Sequence, residues 1–377
     1  MSPQTEVLFF TEDPGAANYI AGLPIALQKL GREAIILAAG SSVGYLKDRD
    51  IPCMSLTGKE DVADILAKWS PKLVAVGTSE NPRTLGLHLV DAAHIKGLPT
   101  VGLVDGFANA AFRFRGMGMK PFSHAPDFIF IPDDPTAKAY QELGMESSRL
   151  RICGHPHWDE VRRIAKQFST LDQASLRARL FPGCKPDRLI FVFAAEISVG
   201  LDSEQYQRSA AYTLEGKKQS QSRTEIVLDE FLEAVALLEP KPFLILRLHP
   251  KNLREEFDGY LGAFDLVSSG GSPFELLQAS DVVVGMTSMI LQEAVIMGKV
   301  TLAILPRESE KTWLPTIAAG ITPSAVRKHE VRDWMRRIAN GYRPNPKVSG
   351  LFGNPDANSA DISASYLDEL LKDNHSG

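Results

Sequence analysis

A histidine and two basic residues surround the end of an apolar run in the second half of the chain. Phe243–Leu248 has the length and composition of a buried strand, and Pro250 stops it because proline has no N–H for the ladder. His249 therefore stands at the carboxyl end of the strand, with Arg247 two residues earlier on the same face and Lys251 just beyond. These groups favour a phosphate ligand, and a plain surface histidine is the alternative.

A second anion-binding signal lies where Thr287 and Ser288 open a predicted helix that extends to Met297. Hydroxyls and N–H groups at a helix N-terminus bind anions, so this pair and His249 are predicted to hold the phosphate of a nucleotide. The alternative is an ordinary N-cap. Glu293 lies off the apolar stripe of the same helix, which leaves two interpretations, a hydrogen bond to a ribose or a solvated carboxylate.

Four carboxylates follow predicted strands and are candidates for a catalytic base. Glu12 and Asp13 come after Glu6–Phe10, Asp105 after Thr100–Val104, and Glu196 after the first strand of the second half. An inverting glycosyl transfer needs one group that takes the proton of the acceptor. We predict Asp13, Asp105 and Glu12 for this role because they belong to the first half. A turn or N-cap carboxylate is the alternative for each.

Two further clusters have weaker signals. His155, His157 and Asp159 carry ligand types for a metal, but such close spacing favours packing at a hinge, and no fourth ligand is evident. We therefore expect no metal and no cofactor.

A glycine-containing loop interleaves basic and aromatic residues, and we expect it to be solvated. An acceptor site or peripheral contact with a membrane surface is the alternative. Its residues are Phe112, Arg113, Phe114, Arg115, Lys120 and Phe122.

These residues need a scaffold, and strands alternate with helices along the whole chain. Such alternation with short connections predicts an α/β protein with parallel sheets covered on both faces. We expect two Rossmann-like, doubly wound domains facing a cleft, with ligands beyond the carboxyl ends of the strands. The predicted segments are an N-terminal acceptor domain over 1–160, a linker over 161–186, a nucleotide-binding domain over 187–350, and a tail over 351–377 that includes a helix.

Length and composition agree with this organisation. At about 150 residues per domain, 377 residues correspond to two domains or three. The formal net charge of −5 makes a general nucleic-acid binder a poor hypothesis. No apolar run approaches the roughly 20 residues of a membrane helix, and the first ten residues lack a secretory pattern. The three cysteines form no CxxC pair, which favours reduced thiols and a cytoplasmic location.

The run from Phe264 to Pro306, which contains ELLQASDVVVGMTSMILQEAVIMGKVTLAILP, resembles the nucleotide-binding half of the GT-B glycosyltransferase superfamily. Nonhydrolysing UDP-N-acetylglucosamine 2-epimerases have a similar run after a similar His-Pro. Teichoic-acid glycerophosphotransferases and sialyltransferases have a His-Pro followed by a Ser-Ser pair, which His249-Pro250 and Thr287-Ser288 match. The resemblance implies that His249, Thr287 and Ser288 contact nucleotide phosphate and that Glu293 contacts the ribose.

The first half is similar to the same enzymes in Pro126-Asp127 before a short apolar strand and in Gly154-His155-Pro156. It departs from the epimerases in two loops. Thr11-Glu12-Asp13-Pro14-Gly15 replaces their Gly-Thr-Arg-Pro-Glu, and Gly77-Thr78-Ser79-Glu80 lacks their acidic residue after the glycine. These departures disfavour epimerisation, although Asp105 stands where one of the epimerase carboxylates would be.

The sequence thus predicts a glycosyltransferase-like enzyme of envelope or capsule polysaccharide synthesis. Its partners would be a nucleotide-sugar donor and a saccharide or lipid-linked acceptor, with no nucleic acid. The nucleotide would be held by Arg247, His249, Lys251, Thr287, Ser288 and Glu293. Two alternatives stay open, a nucleotide-sugar 2-epimerase or hydrolase and a non-catalytic nucleotide-sugar-binding protein. The oligomeric state is left undetermined.

Overall fold

The computed structural model describes residues 5–106, 109–197, 206–344, 351–354 and 357–373. The chain divides into two compact units. The first comprises Met1–Asp159 and Phe352–Gly377, and the second comprises Glu160–Leu351. Two helices, Pro156–Phe168 and Gln173–Leu180, cover most of the segment predicted as a linker, and residues 160–186 belong to the second unit.

The first unit is built on a seven-stranded sheet of order β3-β2-β1-β4-β5-β6-β7. Every neighbouring pair of strands is parallel. The strands are β1 Val7–Thr11, β2 Ala34–Ala38, β3 Met54–Ser55, β4 Leu73–Gly77, β5 Thr100–Leu103, β6 Phe128–Ile131 and β7 Leu150–Ile152. The helices up to the unit boundary are α1 Pro14–Ile20, α2 Leu23–Lys29, α3 Ser41–Lys47, α4 Val62–Trp69, α5 Leu85–Ile95, α6 Ala110–Arg113 and α7 Asp134–Glu142.

Alternate residues of β1 enter different hydrophobic clusters. Val7 and Phe9 pack with Tyr19 and Ile20 of α1 on one face, and Leu8 and Phe10 pack on the other face with a cluster that includes α5. Successive side chains of a strand point to opposite faces, so a strand that is apolar throughout must be covered on both. The uninterrupted Val-Leu-Phe-Phe run therefore explains why helices lie on both faces of this sheet.

The last described helix, which follows the second unit in sequence, returns to the first unit. Its N-terminal residue Ser359 donates its backbone N–H to Asp159 Oδ2 at 2.6 Å, and Arg32 Nε donates to Asp368 Oδ1 at 2.6 Å. Leu367 and Leu371 belong to the same hydrophobic cluster as β1. The tail for which the sequence predicts a helix is therefore part of the core of the first unit.

The second unit contains a six-stranded parallel sheet of order β10-β9-β8-β11-β12-β13. Its strands are β8 Ile190–Ala194, β9 Phe243–Arg247, β10 Leu266–Ser268, β11 Val282–Gly285, β12 Val300–Ile304 and β13 Ser324–Ala325. The helices from the unit boundary onward, including the returning one, are α8 Pro156–Phe168, α9 Gln173–Leu180, α10 Arg223–Val235, α11 Phe274–Ala279, α12 Met289–Ile296, α13 Pro315–Ala318, α14 Lys328–Ala339 and α15 Ser359–Asp373.

Both sheets are parallel, and helices connect their strands. The predicted α/β class with two Rossmann-like domains is therefore confirmed. Across the residues that the structure describes, none of the helices combines the length and apolar character that crossing a bilayer requires.

Candidate functional site

Carboxylates follow the carboxyl ends of three neighbouring strands in the first unit. Strands β1, β4 and β5 are adjacent, and they lead into Asp13, Glu80 and Asp105 respectively. Asp13 is the residue before α1, but among the described residues its carboxylate makes no capping hydrogen bond to that helix. Its Oδ2 accepts the backbone N–H of Glu80 at 2.7 Å instead. Asp13 thus occupies the N-cap position of α1 by its backbone, while its carboxylate links two strand-end loops.

Glu12 lies on the side of this edge toward β2. Its Oε1 accepts a hydrogen bond from Asn81 Nδ2 at 2.8 Å, and its backbone oxygen accepts from Ser42 N at 3.2 Å. The other carboxylate oxygen is buried and has no hydrogen-bond partner among the described residues. The structure thus brings all three carboxylates predicted for the first half, including Glu12, to one edge of one sheet.

Arg113 is paired with Asp105 at this edge. Its Nη2 lies 3.5 Å from Asp105 Oδ1, and the two side chains are only 10% and 17% exposed. Burial acts to lower the pKa of the guanidinium, but the negative charges of Asp105 and Glu80 outweigh it and raise the pKa above its ordinary value. The expected solvated loop is therefore incorrect at Arg113, which is a charged partner of the carboxylate cluster. Spacing alone gives no signal for this pairing.

Other parts of the same loop also differ from the prediction. Phe114 is buried in a cluster with Tyr140, so its ring is not part of a surface patch. Met117 and Met119 are exposed instead, at 63% and 86%. The proposed membrane or acceptor contact of this loop stays a prediction.

The carboxyl end of β9 in the second unit carries Arg247 and His249. Arg247 is buried, and its two terminal nitrogens donate to Ser268 Oγ and to the backbone oxygen of Gly271, both at 2.8 Å. Arg247 therefore links β9 to the neighbouring strand β10 and to the turn that follows it. The backbone N–H of Lys251 donates to His249 Nδ1 at 3.1 Å. Because Nδ1 accepts, the neutral imidazole carries its proton on Nε2, which makes Nε2 a hydrogen-bond donor.

An acidic side chain occupies the N-terminal end of α12. Glu196 follows β8, and its Oε1 accepts the backbone N–H groups of Met286, Thr287 and Ser288 at 3.1, 2.6 and 2.8 Å. Ser288 is the N-cap of α12, where its hydroxyl oxygen accepts the N–H of Ile290 at 3.5 Å. The sequence predicts an anion site at this turn, and the anion there is a carboxylate of the chain itself. As a catalytic base Glu196 is thereby disfavoured.

Behind Glu196 lies a chain of buried charges. Arg223 Nη1 donates to Glu196 Oε2 at 2.8 Å, and Arg223 Nε donates to Glu310 Oε2 at 2.9 Å. Arg307 Nε donates to Glu310 Oε1 at 2.8 Å. Burial acts to lower the pKa of Arg223, but the two glutamates outweigh it and raise that pKa. No local sequence pattern indicates Arg223, Arg307 and Glu310 as site residues, because the partners of Arg223 are 27 and 87 residues away.

Glu293 lies on α12 with 4% of its surface exposed. The interpretation of Glu293 as a solvated surface carboxylate is therefore wrong, and the ribose contact stays a prediction.

The histidine cluster of the first unit is a packed aromatic group. The ring of His155 lies 5.0 Å from Tyr19 and 4.9 Å from Trp158, measured between centroids, and Asp159 caps α15. Burial, and then the neighbouring His157, hold the pKa of His155 well below its usual value. Throughout the described part of the chain, no group of three or more histidine, cysteine or acidic side chains could hold a metal ion.

Comparison of the whole chain with solved structures identifies its fold. UDP-GlcNAc 2-epimerase from Neisseria meningitidis bound to UDP-GlcNAc matches with a TM-score of 0.65 and 14% identity, over 98% of this chain and 100% of that one. The 2-epimerase from Methanocaldococcus jannaschii in complex with UDP-GlcNAc and UDP gives 0.69 and 13%, over 97% and 100%. The wall teichoic acid polymerase TagF gives 0.56 and 12%, over 100% and 90%.

No model of a protein family matches the sequence, and no curated protein matches it. The structural likenesses show a fold of the GT-B type, as the resemblance of Phe264–Pro306 predicts. At 12 to 14% identity they establish the fold and leave the reaction to the residues of the site.

Proposed function

We propose that the protein is a glycosyltransferase that uses a nucleotide-activated sugar, in the synthesis of an envelope or capsule polysaccharide. The nucleotide phosphate would bind at the carboxyl edge of the second sheet, with His249 and Ser288 as hydrogen-bond donors and Lys251 as a cation. The acceptor would be a saccharide or a lipid-linked saccharide. The GT-B fold supports this proposal, since similarly folded enzymes have been solved with UDP-GlcNAc or UDP bound.

The main observation behind the phosphate site is the hydrogen-bonded state of His249. Lys251 N–H fixes Nδ1 as an acceptor at 3.1 Å, so Nε2–H is a donor whose orientation is set before any ligand arrives. A second hydrogen bond, from His249 N to Asn252 Oδ1 at 3.1 Å, holds the same turn. Preorganised donors stabilise the charge that develops on a leaving phosphate more than mobile ones do, because no reorganisation is needed during the reaction.

The chemical step requires a base for the acceptor hydroxyl. Asp13 and Asp105 are the proposed candidates, with Glu12 at the same edge. Arg113 is proposed to orient Asp105 through their ion pair at 3.5 Å. In an inverting transfer the acceptor oxygen bonds to the anomeric carbon, its proton passes to the carboxylate, and the nucleotide leaves with the electrons of the broken C–O bond. This chemistry needs neither a metal nor a cofactor from the protein.

Calorimetric titration with UDP, UMP, CDP, CMP, GDP and dTDP tests the phosphate site. We expect one base to be preferred and His249→Ala to weaken its binding about tenfold, or ~1.4 kcal/mol. The control is His329→Ala, which removes an exposed histidine from α14 of the same unit. If none of these nucleotides binds, the proposal is wrong. Binding that His249→Ala leaves intact would reject the assigned residue.

Turnover measurements show whether Asp13 or Asp105 acts in the chemical step and not in nucleotide binding. We expect Asp105→Asn and Asp13→Asn to keep nucleotide affinity, and at least one of them to lower transfer by a hundredfold or more, the usual contribution of a general base being about 10² to 10⁴. Nucleotide binding without transfer or hydrolysis in any donor–acceptor pair would instead identify a non-catalytic binding protein.

A second candidate, nucleotide-sugar 2-epimerisation, is favoured by the fold, because the two epimerases named above match over 98% and 97% of this chain. The departure at Thr78, where the epimerases have an acidic residue, disfavours it. Incubation with UDP-GlcNAc in deuterated buffer without an acceptor decides between the two. An epimerase would invert C2 and incorporate deuterium there, whereas a transferase would leave C2 unchanged.

A further inference from the structure

The carboxylate of Glu196 fills the anion position of α12. Three consecutive backbone N–H groups, from Met286 to Ser288, converge on its Oε1 within 3.1 Å. These are the groups that a helix N-terminus offers to a bound phosphate. A phosphate could take them only if it displaced a carboxylate that the rest of the fold holds in place.

The other oxygen of Glu196 shows how firmly it is held. Oε2 accepts from Arg223 Nη1 at 2.8 Å and from Thr287 Oγ1 at 3.1 Å. Thr224 Oγ1 donates to the backbone oxygen of Glu196 at 2.9 Å. The carboxylate therefore has five hydrogen-bond donors, and its position is determined by α10 as well as by the turn before α12.

Among the residues that the structure describes, the charges paired around this carboxylate are balanced. Arg223 bridges Glu196 and Glu310, and Arg307 pairs with Glu310, so the four groups carry two positive and two negative charges. A phosphate placed next to Glu196 would add negative charge to a group with no net positive charge. Such a site disfavours a densely charged ligand at the helix terminus.

The hydroxyls of the turn are not equivalent. Thr287 Oγ1 donates to Glu196 and accepts from Arg223 Nη2 at 3.2 Å, so both of its hydrogen-bonding functions are engaged within the protein. The oxygen of Ser288 accepts from Ile290 N, which leaves its O–H proton to donate elsewhere. The proposed phosphate donors are then Ser288 and the Nε2–H of His249, together with the charge of Lys251. Within the described part of this edge, that set suits one phosphate group.

We propose that Glu196 is a resident anion of the α12 N-terminus, and that the nucleotide site consequently anchors a single phosphate. The donor class is then a sugar linked to a nucleoside monophosphate rather than to a diphosphate. This inference rests on the proposed function, which assigns a nucleotide to the same edge. In the transfer step the anomeric C–O bond to that phosphate breaks, the acceptor oxygen bonds to the anomeric carbon, its proton goes to a carboxylate, and the nucleoside monophosphate leaves.

Paired titrations with UMP and UDP, and with CMP and CDP, test the donor class. For the preferred base we expect the mono- and diphosphate to bind within about threefold of each other. A diphosphate that binds about tenfold tighter or more would overturn the inference while supporting the proposed function. If only GDP or dTDP binds, the same comparison is made with GMP or dTMP. If none of the six nucleotides of the first titration binds, the proposed function and the donor class are both rejected.

The resident anion itself is tested without any nucleotide. Glu196→Ala should lower the thermal midpoint, and millimolar inorganic phosphate should raise that midpoint by several degrees by refilling the vacated N–H groups. The wild type and Glu330→Ala, which removes a carboxylate bound to Val326 N and Arg327 N in the same unit, should respond to phosphate no more than to chloride of equal ionic strength.

The alanine variant also tests whether the Glu196 carboxylate sets the preference between a nucleoside monophosphate and a diphosphate. Glu196→Ala should gain affinity for the diphosphate relative to the monophosphate, by about tenfold. Glu196→Asp, which is one methylene too short to reach all three N–H groups, repeats both measurements if the alanine variant does not fold. A variant that folds, yet shows neither phosphate stabilisation nor a shift toward the diphosphate, would overturn the inference.

Discussion

The backbone of Gly15 lies directly against the carboxylate of Asp105: a Cβ at position 15 would stand 2.3 Å from Asp105 Oδ2. Gly15 is in the first turn of α1, and Asp105 follows β5. Contact at that distance is impossible for a real side chain. The glycine therefore lets the first turn of α1 approach a carboxylate that we propose as a catalytic base.

Substitution of Gly15 by alanine should displace that carboxylate. We expect Gly15→Ala to push the end of the Asp105 side chain aside and to lower turnover, while nucleotide affinity stays unchanged and stability changes by no more than about 1 kcal/mol. Gly44→Ala is the matched control, because a Cβ there would meet nothing within 4 Å and position 44 lies inside α3. That variant should be neutral or stabilised by up to about 1 kcal/mol. Equal turnover in both variants would argue against a role for Asp105.

Removal of Arg223 should leave two buried glutamates without their shared cation. We expect Arg223→Met to destabilise the protein by about 3–5 kcal/mol in urea unfolding, the usual cost of breaking a buried ion pair from one side. Arg163→Met is the comparison, since Arg163 and Glu160 form a pair whose side chains are 55% and 46% exposed. Its cost should stay below about 1 kcal/mol. Similar losses for the two variants would show that the buried pairing contributes little.

Acidification should weaken the first unit through His155. The folded state keeps this imidazole neutral, because its pKa is depressed, whereas the unfolded chain binds a proton near pH 6.5. The unfolded state then carries the extra proton, so stability should fall below pH 6.5 by up to about 1.4 kcal/mol per pH unit. Above that pH the effect should vanish.

Urea midpoints measured from pH 7.5 to 5.5 check this expectation. His155→Gln should flatten the pH dependence, and His329→Gln at an exposed position controls for the loss of a histidine. A wild type and a His155→Gln variant with parallel profiles would contradict the assignment.

The returning helix α15 should contribute strongly to stability. Leu367 is fully buried in the cluster that includes β1, so Leu367→Ala should cost about 2–5 kcal/mol. Leu237→Ala removes a leucine that is 60% exposed and should change stability by no more than about 0.5 kcal/mol. Scanning calorimetry of both variants measures the difference. A small effect at Leu367 would mean that α15 is dispensable for the core of the first unit.

Much of the scaffold could be predicted because its signals are local. The apolar run at Phe243–Leu248 predicts β9, observed over Phe243–Arg247, and Pro250 predicts where it ends. His249 at the carboxyl end of that strand follows directly. The gathering of Asp13 and Asp105 at one edge also follows, because parallel strands present their carboxyl ends together.

The charged partners could not be predicted in the same way. Arg113 is in a glycine-containing loop with no periodic pattern, and its ion pair with Asp105 depends on how that loop packs. Glu196 and Ser288 are 92 residues apart, and nothing in either local sequence indicates the other. A carboxylate can accept the unpaired backbone N–H groups of any helix N-terminus that the fold brings close to it. The topology of the chain therefore decides which helix the carboxylate of Glu196 pairs with.

The sequence by itself determined the two parallel sheets and the edges where ligand-binding residues stand, because strand length, apolar runs and proline act over a few residues. Only the tertiary structure decided which groups are engaged within the protein: Arg247 braces a turn, Glu293 is buried, and Glu196 fills the anion position of α12. The physical reason is that a buried charge needs a partner of opposite sign or a hydrogen-bond donor, and long-range packing chooses that partner.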